Sequence, residues 1–357
     1  MLNRYKTWIG IGLTAILLIA FLLTVDVVKM FDSLVEANYV FILPAIAMYF
    51  ISLLFRTLRW KMLLRHMQDI GMSRLYPVVV VGYMANNILP MRLGEFVRSY
   101  YLKEREGITV SAALATVLVE RVIDALTLLI FIVAIAFIVP LGVGGVVEGL
   151  GERSGIAWPL IVLGATIPFI LCFTLFMLVA RYPEFTLAIT AKVLSRLPVR
   201  IKSALNNLAE TFVVGLSALK NPQLIMGMFI VSIPIWLFEA ALFYLIGISF
   251  DFQNNLGGHV NLALISVLVT AITNIGASVP AAPGGIGLFE IIARETLVLI
   301  PLGIIDRSVA AGYAAVVHAT LLIPIIVVGQ IILWWDNISL NRLWIMGKNN
   351  KEDMDGK

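Results

Sequence analysis

The chain has 357 residues, of which 60% are hydrophobic and 13% are charged, with a net charge of +4 and a mean hydropathy of +0.97. This composition excludes an ordinary soluble globular protein and is typical of an integral membrane protein with little room for a soluble domain. The small net charge gives no support to nucleic-acid binding, and the single cysteine, Cys172, excludes an intramolecular disulfide.

Six apolar runs are long enough to span about 30 Å of hydrocarbon. In chain order they are Trp8 to Val25, Val40 to Phe55, the second half of Thr109 to Val139, Trp158 to Ala180, Leu224 to Ile248 and Val309 to Trp335. The first run is followed by no cleavage site and is expected to be a retained anchor. The second is short, so we expect its helix to continue to Leu58, with Arg56 reaching out to the membrane interface.

Two further apolar pieces end where no regular helix can continue. Leu75 to Met91 runs into a first break at 85–98, and Asn261 to Val279 runs into a second break at 273–290. Proline removes a backbone donor and glycine adds backbone freedom, so a helix entering either segment must break. Broken backbone is tolerated in a membrane only where it is buried in protein or lines a wet cavity. We therefore expect two re-entrant hairpins, rather than two more spans, with a site at their breaks.

The two breaks resemble each other. Both contain Asn-Ile, then proline, then glycine, then an adjacent Phe and Glu, and the similarity resumes downstream of Ser111 and Ser308. Paired interrupted segments in corresponding halves indicate a transporter built as an inverted repeat. The predicted fold is an all-α polytopic membrane protein with six full helices and two re-entrant hairpins, in which repeat 1 covers about 40–139 and repeat 2 about 224–335. The alternative is chance similarity between apolar segments.

The distribution of basic residues predicts the orientation. If the hairpins turn back, most of the 26 Lys and Arg residues lie on the side of the N-terminus. Both termini of a multi-pass protein of the cell membrane are then cytoplasmic. The whole chain, 1–357, is read as one membrane domain with a disordered tail at 348–357. Its linker, 182–222, is either a pair of amphipathic interfacial helices or a solvated connection.

Ionisable residues in apolar surroundings are the candidate site residues, because buried charge is costly and faces a partner or a cavity. They are Glu120, Arg121 and Asp124; Arg92, Glu95 and Arg98; Glu290 and Arg294; and the isolated Glu239 and His318. The first group is either a cavity wall or a structural ion-pair lock, and the second either a site or ordinary interfacial charge. The third is either a site or an intrahelical pair. Glu239 and His318 are candidates for proton coupling, against a plain hydrogen-bonded role.

Each break also starts a new helix, near Leu93 and near Ile286. The free N–H groups and positive dipole end of such a helix suit a phosphate or carboxylate. The breaks therefore add substrate-binding candidates, which are Gly94, Asn274, Pro283, Gly284 and Gly285. Together with the arginines they describe a pocket for an anionic head group. No nucleotide-binding Walker A sequence is present, and neither a cofactor nor a metal is expected.

Three motifs in this order, RLGEFVRSYYL, ERVIDALTLL and PAAPGGIGLFE, make the chain resemble the lysylphosphatidylglycerol synthase transmembrane region, a flippase-like family. Members include the flippase half of multiple peptide resistance factors and stand-alone proteins associated with hopanoid or polyprenyl-phosphate sugar pathways. The resemblance implies lipid translocation, and it points to ten of the residues above: Arg92, Gly94, Glu95, Glu120, Arg121, Asp124, Pro283, Gly284, Gly285 and Glu290. The 22 residues after the last span hold no soluble aminoacyl transferase, so lysyl transfer is not expected.

The leading hypothesis is a flippase, not an enzyme, that moves an anionic or phosphate-bearing lipid between leaflets. Its expected partners are membrane lipids. The sequence is also compatible with a homo-oligomer. One alternative is an intramembrane transferase that acts on a lipid-linked substrate, with Glu120 or Asp124 as general base. The other is a membrane scaffold for a lipid-modifying enzyme.

Overall fold

The computed structural model describes residues 24–89, 93–138, 158–196, 199–278, 283–299, 303–336 and 338. Every regular element within these ranges is helical, as predicted. The helices are α1 Val27–Glu36, α2 Ile42–Leu64, α3 Met72–Ile88, α4 Gly94–Glu106, α5 Val110–Ile138, α6 Trp158–Arg181, α7 Pro183–Val193, α8 Val199–Leu216, α9 Pro222–Ser249, α10 Phe252–Asn255, α11 His259–Gly276, α12 Leu288–Leu299 and α13 Arg307–Trp335. Nearly all of the expected anchor and the whole tail at 348–357 lie outside the described residues.

Four described helices are long and apolar enough to cross a membrane, so the chain is an integral multi-pass membrane protein. They are Tyr39–Leu64, Pro222–Ser249, His259–Gly276 and Arg307–Trp335. A fifth candidate joins Thr166–Arg181 to Pro183–Val193 across a bend of 100°. Helix α11 satisfies the length and composition of a span by itself, although the sequence suggested half of a hairpin. The six-plus-two arrangement therefore stays a prediction.

Helices α3 and α4 form an antiparallel hairpin around the first break. At its open end Arg74 pairs with Glu106 at 3.5 Å. Near the break the two helices touch so closely that a Cβ on Gly94 would lie 2.3 Å from the carbonyl oxygen of Gly82 and 2.4 Å from the amide nitrogen of Asn86. Only glycine fits at this contact, so the sequence of the first break determines how tightly the hairpin closes.

The second break lies against the first. Helix α11 ends at Gly276, a short 3₁₀ turn follows at Pro283–Gly285, and α12 begins at Leu288. Gly284 and Gly285 have φ of 63° and 74°, a left-handed conformation that glycine adopts without strain. A Cβ on Gly284 would lie 3.2 Å from the carbonyl oxygen of Asn87 at the end of α3. The two broken segments thus meet in the interior of the molecule.

The described helices repeat in order and in packing. Helices α2, α3, α4 and α5 are followed by α9, α11, α12 and α13, and the last member of each set has 29 residues. Helix α2 packs on its counterpart α9, while α3 packs on α13 just as α11 packs on α5. Helix α1 packs on α13 as α8 packs on α5. The two sets of helices therefore make matching contacts, and the inverted repeat itself stays a prediction.

Contacts between segments that are distant in the chain define two ends of the bundle. At the first end His66 bonds to the carbonyl of Val214, and Arg105 pairs with Asp336 at 3.3 Å. At the second end Lys29 pairs with Asp306 at 2.8 Å, and this bond lowers the pKa of the Asp306 carboxyl. Both ends of the α3–α4 hairpin emerge at the first end, as a re-entrant hairpin requires.

The linker, 182–222, contains the helices α7 and α8. Helix α8 packs on the beginning of α5, where a Cβ on Gly215 would lie 2.4 Å from the carbonyl oxygen of Ala112. Helix α7 keeps Phe185 and Ile189 exposed. Helix α8 is thus docked on the bundle, and the contact of the linker with the membrane surface stays a prediction.

Candidate functional site

A network of ion pairs crosses the core of the bundle. Glu120, near the middle of α5, accepts a hydrogen bond from Arg98 of α4 at 2.8 Å. Asp124, one turn later, accepts from Arg59 of α2 at 2.7 Å, and Arg59 also lies 3.6 Å from Glu120. Among the described residues the network contains four arginines and four carboxylates: Arg56, Arg59, Arg98, Arg121, Glu95, Glu120, Asp124 and Glu239. It therefore ties α2, α4, α5 and α9 together without excess charge.

Arg56 occupies the centre of this network, and its expected position at the membrane interface is wrong. Its side chain is 4% exposed and pairs with Glu239 of α9 at 2.5 Å. It also lies 3.7 Å from Asp124 and stacks over the ring of Trp236 at 4.5 Å. The reason is that α2 continues to Leu64, so Arg56 lies inside the helix rather than at its end.

Sequence reasoning does not single out Arg59 either, because an arginine just after an apolar run is usually interfacial. The spacing of three residues between Arg56 and Arg59, inside a helix of 23, was the available signal. It places both on one helical face, towards the carboxylates of α5. The predicted i, i+3 pair on α5 is present, with Arg121 at 3.4 Å from Asp124.

Arg121 is the most exposed of the four arginines in the network. Its side chain is 27% exposed and holds Glu95 only loosely, at 3.7 Å. The phenol oxygen of Tyr83 accepts hydrogen bonds from Arg121 and from Arg56, at 3.1 and 3.0 Å. Within the described chain, Nε of Arg121 forms no hydrogen bond. Glu120 is thus paired inside the network, whereas Arg121 also lines a cavity.

The cavity beside Arg121, here named the polar cavity, has a volume of about 150 Å³ and lies where the two breaks meet. Its wall includes Tyr49, Arg56, Tyr83, Asn86, Asn87, Arg121, Glu239, Asn274, Gly284, Gly285 and His318. Asn274 donates to Glu239 at 2.9 Å. Since two arginines face one carboxylate, the wall has a positive excess that suits an anion.

A second space, the middle cavity, lies next to the polar cavity and has a volume of about 360 Å³. Arg121, Trp236 and Asn274 line both. The middle cavity adds two carboxylates, Glu95 and Asp124. Arg121 therefore lies between the positively charged polar cavity and the negatively charged middle cavity, and its side chain lines both.

His318 and Glu290 close the polar cavity from the second break. Nδ1 of His318 lies 2.6 Å from the Glu290 carboxylate, and Nε2 donates to the carbonyl of Gly284 at 3.0 Å. Glu290 also accepts from the amide of Gly287 at 2.7 Å. Because Nε2 must carry a proton, the contact at Nδ1 needs a second one, on either the imidazole or the carboxyl. The pair is neutral in both forms and holds the broken backbone in place.

The other candidates lie apart from this cavity or outside the described residues. Arg294 does not pair with Glu290, so the alternative of an intrahelical pair does not describe it. It binds Glu295 at 2.6 Å and Thr24 at 2.9 Å. Pro283 begins the 3₁₀ turn, and Arg92 lies outside the described residues. The binding roles of all these residues stay predictions.

Comparison with known proteins agrees with the motifs. Residues 7–329 match the family described as the lysylphosphatidylglycerol synthase TM region. A UPF0104 membrane protein of Methanothermobacter thermautotrophicus is 28% identical over 301 residues, which cover 80% of this chain and 83% of that protein. UPF0104 membrane protein PH1989 of Pyrococcus horikoshii is 23% identical over 79% of this chain and 83% of its own length.

A longer relative also aligns. The Glycosyltransferase AglD of Haloferax volcanii is 25% identical over 330 residues, which are 87% of this chain but 51% of that protein. No solved structure matches the chain. The family match spans both breaks, the ion-pair network and the polar cavity, and the chain belongs to the lysylphosphatidylglycerol synthase TM region family.

Proposed function

We propose that the protein moves a phosphate-bearing or otherwise anionic lipid between the two leaflets of the membrane, without covalent chemistry. The observation that carries this proposal is the polar cavity, which lies among spanning helices and has a partly exposed, loosely paired arginine in its wall. An ion in a low-dielectric medium costs of order 20 kcal/mol in the idealised limit. A path for a charged head group must therefore supply counter-charges at the membrane interior, and Arg121 is positioned to do so.

The proposed layout places the first end of the bundle in the cytoplasm, with both hairpins re-entrant and of opposite direction. The α3–α4 hairpin then enters from the cytoplasm and the α11–α12 hairpin from outside. Their breaks meet at the polar cavity, which is where inverted-repeat transporters bind their substrates. In this layout Glu239 and the His318–Glu290 pair are candidates for carrying coupling protons.

The competing proposal is a transferase. A relative is named a glycosyltransferase and extends well beyond the aligned part, and Glu120 and Asp124 are carboxylates of the kind that acts as a general base. Both are, however, engaged by arginines at 2.7–2.8 Å and are almost fully buried. A carboxylate in that position stabilises the ion-pair network rather than accepting a proton from a substrate, which favours transport.

The test uses the purified protein in liposomes that contain a labelled phosphatidylglycerol or a labelled polyprenyl phosphate in one leaflet. Transport predicts that label reaches the other leaflet faster than in empty liposomes and that the lipid is recovered unchanged. Movement of one class alone identifies the substrate class. A covalently altered lipid would support the transferase instead, and movement no faster than in empty liposomes would contradict transport.

A further inference from the structure

A third cavity, here named the apolar groove, lies between α4, α5, α7 and α8. It has a volume of about 410 Å³. Seven of its lining residues are large hydrophobics, which are Phe96, Leu114, Leu118, Leu194, Leu205, Leu208 and Phe212. The hydroxyls at its edge are already satisfied, since Ser111 bonds to Thr211 and Thr190 bonds to the carbonyl of Thr186. The groove thus offers a ligand hydrocarbon contact and few polar partners.

The apolar groove lies next to the cavities of the candidate site and shares lining residues with one of them. Glu95 and Phe96, in the first turn of α4, line both the groove and the middle cavity. Arg121 and Asn274 then line both the middle and the polar cavity. The three spaces therefore follow one another, from the positive wall of the polar cavity, past Glu95, to the mainly hydrophobic groove.

We infer that the apolar groove binds one hydrocarbon chain, acyl or isoprenoid, of the lipid whose head group lies at Arg121. This inference rests on the proposed function and extends it, because the protein then holds part of the tail as well as the head group. A peptide does not fit the groove, since its backbone N–H and C=O groups would find no partners there. A hydrocarbon chain needs none and gains from removal of its apolar surface.

The geometry also determines where the chain leaves the head group. Glu95 and Phe96 form the junction, with the carboxylate towards Arg121 and the ring towards the groove. A phosphate that binds Arg121 lies beside the Glu95 carboxylate, and the two anions compete for the same guanidinium. The hydrocarbon next to the phosphate then passes Phe96 into the groove.

The inference is tested by photolabelling the intact protein in phosphatidylcholine liposomes with a phosphatidylglycerol that carries a diazirine on one acyl chain. Label is expected on peptides from α5 and α8 that line the groove, and excess unlabelled phosphatidylglycerol is expected to reduce it. Ala209→Trp fills the groove from α8. Groove labelling should then fall about tenfold, the loss expected when roughly two methylenes are no longer buried.

Ala188→Trp is the matched control, because Ala188 is exposed on the adjacent helix α7 and does not line the groove. It should leave labelling unchanged. Leu208→Gln adds a second groove variant, at a side chain that is half exposed and tolerant of a polar residue, and it should also reduce labelling. Folding of each variant is checked by size exclusion and thermal unfolding in detergent. The inference is overturned if the label spreads over exposed faces of α2 and α13 and its amount is the same in wild type and in both groove variants.

The outcome separates the groove from the proposed transport. Specific labelling of the groove by a lipid that the wild type does not move supports the groove and contradicts transport. Movement of lipid without groove labelling supports transport and overturns the groove.

Discussion

The eight charged side chains at the core cost much to bury, and each is retained because an opposite charge lies beside it. Arginine suits this place since its five donors form a rigid fork that bonds to more than one carboxylate. Arg59 contacts both Asp124 and Glu120, and Arg56 contacts Glu239 and Asp124. Removing one member leaves an unpaired charge in the interior, which is far more costly than removing a pair at the surface.

Glu239→Gln is therefore expected to destabilise the protein by about 3–5 kcal/mol, because it leaves the buried Arg56 without its nearest carboxylate. The measurement is the free energy of unfolding in detergent. Asp306→Asn is the control, since it removes the carboxylate of an exposed pair and should cost about 0–1 kcal/mol. A double variant, Arg56→Met with Glu239→Leu, should recover part of the loss. Equal effects of Glu239→Gln and Asp306→Asn would contradict the buried network.

His318→Ala is expected to loosen the second break. The change leaves the carbonyl of Gly284 and one oxygen of Glu290 without their partner, and each orphaned group costs about 1–3 kcal/mol. Hydrogen exchange of the amides from Gly284 to Phe289 should speed up. Thr320→Ala, two residues further along α13, removes a bond within the helix only and should leave that exchange unchanged. Unchanged exchange in His318→Ala would show that the pair does not hold the break.

At the residue scale, the sequence singles out the acidic members of the buried network but not all of their arginine partners. Glu95, Glu120, Asp124 and Glu239 stand out because a carboxylate in an apolar run has no ordinary explanation. Arg56 does not stand out, because an arginine at the end of an apolar run is usually interfacial. Only the actual end of α2 at Leu64 shows that it lies deep in the bundle.

Among the elements, the hairpin of α3 and α4 depends on the absence of a side chain at Gly94. Gly94→Ala places a methyl group 2.3 Å from the carbonyl oxygen of Gly82, so the two helices must separate. We expect destabilisation of about 1–3 kcal/mol, the usual cost of overpacking, and movement of the Glu95 and Phe96 side chains in the next two positions.

Gly164→Ala is the matched control for this change, because Gly164 lies in a helix and has nothing within 4 Å of its Cβ position. There alanine should be neutral or stabilising by up to about 1 kcal/mol, since it has the higher helix propensity. Thermal unfolding of both variants in the same detergent gives the comparison. If Gly94→Ala is as stable as Gly164→Ala, the close contact of the two helices is wrong.

The elements were predictable where backbone chemistry decides them. Proline and glycine placed both breaks, and the new helices begin at Gly94 and Leu288, close to the predicted Leu93 and Ile286. The packing of α8 on α5 was not predictable, because the amphipathic pattern of 182–222 fits a membrane surface as well as a protein surface. Only the close contact at Gly215 distinguishes the two.

On the scale of the whole molecule, the two ends of the bundle fix which loops share a side of the membrane. Gln68, between α2 and α3, and Asn221, before α9, lie at the first end. Gly257, before α11, and Ile304, before α13, lie at the second end. Single cysteines at these four positions, in a Cys172→Ser background, report the side through an impermeant maleimide.

Gln68→Cys and Asn221→Cys should react with the maleimide in inside-out vesicles, where the cytoplasmic face is accessible. Gly257→Cys and Ile304→Cys should react in intact cells. The extent of maleimide labelling is measured for each variant in both samples. A pair from the same end that reacts from opposite sides would contradict re-entrant hairpins, because a fully crossing α3 would move one loop across the membrane.

The repeat in the sequence predicted two related halves, but the contacts of α2 with α9 required the structure.

The most direct test of lipid transport is the rate of leaflet exchange in liposomes for wild type, Arg121→Gln and Arg307→Gln. Both changes remove one guanidinium that pairs with a carboxylate, but Arg121 faces the polar cavity and Arg307 lies exposed beside Glu295. Loss of a charge-assisted hydrogen bond to the head group predicts a rate about tenfold lower or more for Arg121→Gln. Arg307→Gln should keep the wild-type rate. Equal rates for all three proteins, each faster than empty liposomes, would contradict a path through the polar cavity.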